Sequence, residues 1–232
     1  MIVEYPVLAF DTCGDAGTVA LVDLQYKSTT VTCISQTELA GRAASAELMP
    51  AVDGMLRNAE LDLRSLRAIL VVNGPGSFTG IRVGLSTAKG LAHAAGVPIV
   101  AISRLAVLGS LTEDSLTETR GDSLALLDAG RNEFYARRAE REWLASFEEI
   151  TAAAAAGASL IVAEARIAAT IAERLAPLRP LLVGSLDACA AVRAALTRLR
   201  SGESDDLAAL DANYLRRSDA ELFARPVPAT AQ

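Results

Sequence analysis

One histidine serves a chain of 232 residues. Zinc and iron sites draw on two or three closely spaced nitrogen or sulfur ligands, and Ser-His-Asp or Cys-His catalysis needs a histidine beside its nucleophile. His93 stands in an alanine-rich helical stretch, Leu91-Ala92-His93-Ala94-Ala95, without such company, so metal and triad chemistry are set aside. Cysteine is nearly as scarce. Cys13, Cys33 and Cys189 are widely spaced and odd in number, which fits neither a CxxC pair nor a disulfide framework. Cys13 lies in a glycine-containing turn and reads as a small buried filler, because no histidine is at hand to activate it. Aromatic residues make up only 4% and the net charge is −6, so neither a stacking platform nor a basic face for RNA or DNA is expected from this chain alone. No apolar run approaches the roughly 18 residues that a bilayer crossing needs. The opening MIVEYPVLAFD has no basic region and meets Asp11 early, so it does not read as a signal peptide; a cytoplasmic address is expected.

What is present is strands alternating with helices. Apolar residues make up 51% of the chain and charged ones 22%, the mix of an ordinary globular protein. Residues 7–24 read as two strands around a turn, and Val31–Ser35 extends the meander. Leu48, Val52, Met55, Leu56 and Ala59 have helical spacing, with Pro50 expected to kink that helix or mark its start. A strand at 68–72, a helix near 80–95 and a strand at 97–102 follow. Residues 110–123 are polar and acidic and form the candidate linker. Beyond it, Leu124-Ala125-Leu126-Leu127-Asp128 repeats the pattern of Val7-Leu8-Ala9-Phe10-Asp11, half a chain away, and Phe134-Tyr135-Ala136 supplies a second strand. Strand and helix patterns then alternate at 151–157, 160–162, 165–176, 180–183 and 185–200. The expectation is an α/β protein of two duplicated lobes, 1–105 and 106–205, with 206–232 as a candidate completion of the first.

The stretch NGPGSFTGIRVG at 73–84 invites two readings. Gly74, Gly76 and Gly80 supply the backbone freedom that a sharp strand-to-helix turn needs, with Thr79 as the helix cap. The same amides, with Ser77, Thr79 and Arg82, form a candidate anion site at a helix N-terminus. Neither the Walker A spacing nor GxGxxG is matched, so the loop stays open between a structural turn and a phosphate grip. Asp11, followed by Thr12, and Asp128 end one strand in each lobe, and as a pair they could converge on a cleft and hold Mg²⁺ with nucleotide phosphates. Gly80, Gly84, Ala88 and Ala92 recur every four residues, a ribbon of small side chains that admits a close neighbour: this lobe's own sheet or another subunit.

Taken together, NGPGSFTGIRVGLSTAKGLA (73–92), FDT (10–12), DAGRNEFY (128–135) and the late AsnTyrLeuArg (213–216) resemble the TsaB (YeaZ) family. The resemblance implies the actin/sugar-kinase/Hsp70-like (ASKHA) fold of two duplicated α/β lobes. It also implies a noncatalytic subunit that helps form the threonylcarbamoyl group on the adenosine next to the anticodon in tRNA. The expected partners are a TsaD-like transferase, in a heterodimer, and a TsaE-like ATPase. Alone the chain is expected to form a homodimer; tRNA is reached only through the complex, and no membrane is involved. The transferase's paired metal-binding histidines have no match here. The resemblance places the docking surface on two N-lobe helices, at Ser45, Leu48, Met49, Val52, Leu56, Gly80, Gly84, Thr87, Ala88, Leu91 and Ala92. A departure is Ala44, where the family often has histidine. The alternative reading is a weak Mg-nucleotide ATPase of the same fold, with ATP or ADP held by Asp11, Thr12, Gly74, Gly76, Ser77, Thr79, Gly80 and Asp128 at a composite site in the complex.

Overall fold

The structure, a computed structural model, describes residues 3–25, 30–40, 44–111 and 122–216. Its first sheet is built from β1 (Pro6–Asp11), β2 (Gly17–Leu24), β3 (Val31–Leu39), β4 (Ala68–Val72) and β5 (Ile99–Ile102) in the order β3-β2-β1-β4-β5. The first three strands pair antiparallel, while β4 and β5 join parallel. Two helices, α1 (Ala44–Asn58) and α2 (Phe78–Ala95), return the chain for those parallel strands. Pro50 sits inside α1. A strand's side chains alternate between faces, and the core divides accordingly. Leu8, Phe10, Ile69 and Val71 meet Leu48, Val52, Leu85 and Ala88 of α1 and α2; Val7, Ala9, Leu70 and Val72 face the other way.

The second sheet repeats this plan with β6 (Ser123–Gly130), β7 (Glu133–Arg138), β8 (Arg141–Ala145), β9 (Ser159–Val162) and β10 (Leu181–Leu182) in the order β10-β9-β6-β7-β8. Read from the other edge, that is the order of the first sheet, with the same antiparallel and parallel pairings. The duplication is therefore a repeat of topology, and the two-lobed α/β fold stands. Here α4 (Phe147–Ala155) and α5 (Ala165–Arg174) cover one face, through Ile150, Ile167 and Ile171 on Leu124, Leu126 and Phe134. Ser146 and Glu149 close a reciprocal capping box at the start of α4.

Each lobe gives its third helix to the other. α3 (Arg104–Ser110) follows the first sheet but lays Leu105 and Leu108 on Ala125, Leu127 and Ile161 of the second. α6 (Ala188–Ala194) follows the second sheet but buries Ala188–Val192 on Val7, Ala9, Ala20 and Val22 of the first. Residues 185–200, expected as one helix of the second lobe, are thus α6 and α7 (Leu196–Ser201), and α6 serves the first sheet. The exchange also corrects the reading of the cysteines. It brings Cys189 over β3, where it is disulfide-bonded to Cys33 across 156 residues with a Cα–Cα distance of 6.3 Å. After α7 the chain runs back along the first lobe: the Asp205 amide donates to the Ile99 carbonyl and the Asn213 amide to that of Asn73. Most of the expected linker (112–121) and the end of the expected lobe completion (217–232) lie outside the described residues.

Candidate functional site

The glycine loop closes on the turn that follows β1. The Ser77 amide donates to the Cys13 carbonyl at 2.8 Å, and Thr12 Oγ1 donates to the Gly80 carbonyl at 2.6 Å. A Cβ at Gly80 would stand 2.0 Å from the Thr12 carbonyl oxygen, and one at Gly84 only 2.2 Å from Thr12 Oγ1. Glycine is needed here because the α2 backbone lies directly on the carbonyl and hydroxyl of Thr12. On the loop's other side, a Cβ at Gly74 would meet the Asn213 carbonyl at 2.9 Å. Ser77, rather than Thr79, caps α2, its hydroxyl accepting from the Gly80 amide at 3.3 Å.

Asp11 is buried below this loop. One carboxylate oxygen accepts from the Cys13 amide at 2.9 Å, and the other pairs with Arg104 Nε at 3.4 Å. Burial, the largest single influence, draws the Arg104 pKa down, but the Asp11 carboxylate together with Cys13 and Glu164 outweighs it and raises it, so the guanidinium keeps its charge. Burial pushes the Cys13 thiol well up, with the Asp11 carboxylate adding to the effect; the thiol stays protonated and donates to the Val72 carbonyl at 3.2 Å.

Asp128 has different surroundings. Within β6 it alternates with Leu124 and Leu126, the face under α4 and α5, whereas Asp11 alternates with Val7 and Ala9, the face under α6. The two strand-end carboxylates therefore lie on opposite kinds of face, one residue out of step, and each is already paired with an arginine. Asp128 accepts from the Gly130 amide at 2.7 Å and pairs with Arg166 Nη1 at 2.7 Å on a rim open to solvent. Among the described residues, no group of three or more His, Cys, Asp or Glu is arranged to hold a metal ion.

The small-residue ribbon of α2 is turned inward. Gly84, Ala88 and Ala92 are buried on the lobe's own sheet, as are Leu48, Val52 and Leu56 of α1, so these six serve this chain's core. Ser45 and Met49 are exposed, Thr87 and Leu91 half-buried. The outer surface carries features the spacing did not single out. Phe78 is 44% and Tyr214 40% exposed; their rings stack with centroids 5.2 Å apart, and Arg82 lies 3.8 Å over the Phe78 ring while donating to the Tyr214 hydroxyl. The tail around Tyr214 straps the two lobes. Asn213 donates from its backbone to Asn73 and from its side chain to Glu142 of β8, Leu215 packs into the α3–second-sheet core, and Arg216 pairs with Glu133. The signal available for this strap was the AsnTyrLeuArg motif itself.

The family described as TsaD, tRNA N6-adenosine threonylcarbamoyltransferase, matches residues 32–165. A Haemophilus influenzae protein named tRNA threonylcarbamoyladenosine biosynthesis protein TsaB is 35% identical over 136 residues, 59% of this chain and 54% of that protein. The Escherichia coli protein of the same name is 32% identical over 138 residues, 59% of this chain and 55% of that protein. The chain thus spans about half the length of the curated relatives it matches. A Pseudomonas aeruginosa structure, described as an uncharacterized protein with similarity to peptidase YeaZ, superposes with a TM-score of 0.71 at 26% identity, covering 92% of this chain and all of that one. No helix among the described residues is long and apolar enough to cross a membrane. With more than half of its length matched to that family, and with both TsaB proteins and a YeaZ-like structure matching it, the chain belongs to the TsaB (YeaZ) family.

Proposed function

We propose that this chain acts in forming the threonylcarbamoyl group on the adenosine next to the anticodon in tRNA, as a noncatalytic subunit that docks and activates a TsaD-like transferase. The observation that carries this reading is the outer surface of α1 and α2. Met49 is 46% and Phe78 44% exposed, and beside Phe78 stand Arg82 and Tyr214. Aromatic rings and arginine are what binding hot spots are made of, and large apolar side chains left in water favour a partner. The docking surface is thus these outward residues together with Ser45, Thr87 and Leu91, while the inward ribbon sets how closely α2 lies on its sheet. Self-association of the free chain uses the same surface, and a TsaE-like ATPase joins the complex. The pairing of Asp11 with Arg104 and of Asp128 with Arg166 supports this reading over a Mg-nucleotide hydrolase.

Size-exclusion chromatography of the chain mixed with the transferase tests the docking. Met49→Asp and Phe78→Asp, both at exposed positions, should weaken the heterodimer about tenfold or more while leaving the fold intact. A heterodimer undiminished in both variants would refute the surface. A tRNA modification assay that ran at full rate without this chain would refute the function.

A further inference from the structure

The DAGRNEFY motif forms one wall of a cavity of about 310 Å³. That volume lies at the lower end of ligand sites, enough for a molecule of roughly mononucleotide size. The cavity is lined from β6, the β6–β7 turn, β7, α4 and α5. We propose that it binds a small organic phosphate whose planar ring rests on the cavity's phenyl floor.

The floor is Phe134 and Phe147, packed edge to face with ring centroids 5.2 Å apart at 82°. Such rings accept a planar partner by stacking or by an edge-to-face contact. Around them stand three guanidiniums: Arg166 and Arg174 from one face of α5, and Arg131 from the β6–β7 turn. Arg166 is already matched by Asp128 and Glu164. Arg174 is held by neutral groups instead, donating to Asn132 Oδ1 at 2.8 Å and lying 5.3 Å over the Phe147 ring, so it is positioned without being neutralised. A fixed guanidinium fork beside a second one matches the oxygens of a phosphate monoester.

The turn gives independent support. Gly130, Arg131 and Asn132 have φ of 70°, 56° and 64°. A two-residue hairpin turn of this kind favours Asn-Gly, and arginine at its first central position is held against its own backbone preference. The turn thereby places a cation on the cavity rim.

A planar ring with a phosphate is offered by a free nucleoside monophosphate or by the phosphorylated end of an RNA, and calorimetric titration of the full chain without divalent metal separates the two. AMP and phenyl phosphate should bind, and inorganic phosphate, which lacks the ring, about tenfold more weakly. Arg174→Met should weaken AMP about tenfold or more at an unchanged thermal midpoint. Arg131→Gly, which keeps the turn's positive φ without strain, should weaken AMP about tenfold; a purely structural arginine would leave AMP affinity unchanged. A 5′-phosphorylated oligoribonucleotide binding tighter than AMP identifies the RNA end as the ligand, and weaker binding identifies the free nucleotide. No binding of any probe at millimolar concentration, or AMP affinity unchanged in both variants, would overturn the proposal. None of these readouts depends on the docking of a transferase.

Discussion

Asp11 and Asp128 end the first strands of two sheets of the same topology, and each accepts from the amide two residues on and pairs with an arginine, yet one pair is buried and the other stands in solvent. Asp11 lies under a glycine loop and against Arg104, with side chains 4% and 12% exposed; Asp128 and Arg166 are 34% and 58% exposed. The first lobe has closed its strand end with its own backbone, whereas the second has left its end open as a cavity. Duplication preserved the framework, and one residue of offset along the strand was enough to change which face each carboxylate serves, since side chains alternate with a period of two.

Removing the arginines breaks this comparison most directly. Arg104→Met leaves the Asp11 carboxylate buried without its counter-charge and should cost about 3–5 kcal/mol of stability. Arg166→Met removes a pair standing in solvent and should cost about 0.5 kcal/mol. Urea unfolding of both variants measures the gap, and equal losses would mean that the two strand ends are not differently sealed. The glycines come next. Gly80→Ala and Gly84→Ala drive a methyl into Thr12 and should each cost about 2–3 kcal/mol, because the opposing groups are a backbone carbonyl and a hydroxyl held by the turn. Gly184, in the second lobe, has nothing within 4 Å of its added Cβ, and Gly184→Ala should be close to neutral.

α2 carries the same contrast on its two sides. Its outer Gly90 is exposed and meets nothing within 4 Å, so Gly90→Ala should stabilise the chain by about 0.5–1 kcal/mol through helix propensity. A rise in the thermal midpoint for Gly90→Ala beside a fall for Gly84→Ala would separate the helix's solvent side from its packed side.

How much of this was legible in the sequence follows from what local patterns encode. The runs Val7–Asp11 and Leu124–Asp128 announce strands and their repetition, and the spacing of Gly80, Gly84, Ala88 and Ala92 announces a close approach. Neither tells what is approached: the neighbour at Gly84 is Thr12, which no local period links to it. For the same reason the exchange of α3 and α6 was hidden. Leu105 and Leu108 mark an apolar face, but nothing in their spacing names the second sheet over the first. The Cys33–Cys189 bond was lost with that exchange, since only α6 crossing to the first sheet brings the two residues together. The strand β8, Arg-Glu-Trp-Leu-Ala, was missed because two charges open it; Glu142 pairs with Arg137 across the hairpin, and Arg141 lies 5.0 Å over the Trp143 ring. The cavity at Asp128 drew on Arg166 and Arg174, 38 and 46 residues further along (166 − 128 and 174 − 128), where the sequence shows only an amphipathic helix.

The smallest effect is expected on the returning tail, at the solvent edge of the first lobe. Asp206 is exposed and accepts from the amides of Ala208 at 2.7 Å and Ala209 at 3.0 Å. The Ala209 amide first, then that of Ala208, holds its carboxyl below the usual carboxylate range. A carboxylate whose pKa is lower folded than unfolded stabilises the fold above its unfolded value and loses that contribution as pH falls through the folded one. Asp206→Ala should therefore be slightly less stable than the parent at neutral pH, and their urea midpoints should converge on acidification below the ordinary carboxylate pKa of about 4. Because the group is fully in water, the difference should stay far below that of Arg104→Met at every pH. A gap that persisted unchanged into acid would mean that the turn at 206–209 is held by packing rather than by this charge.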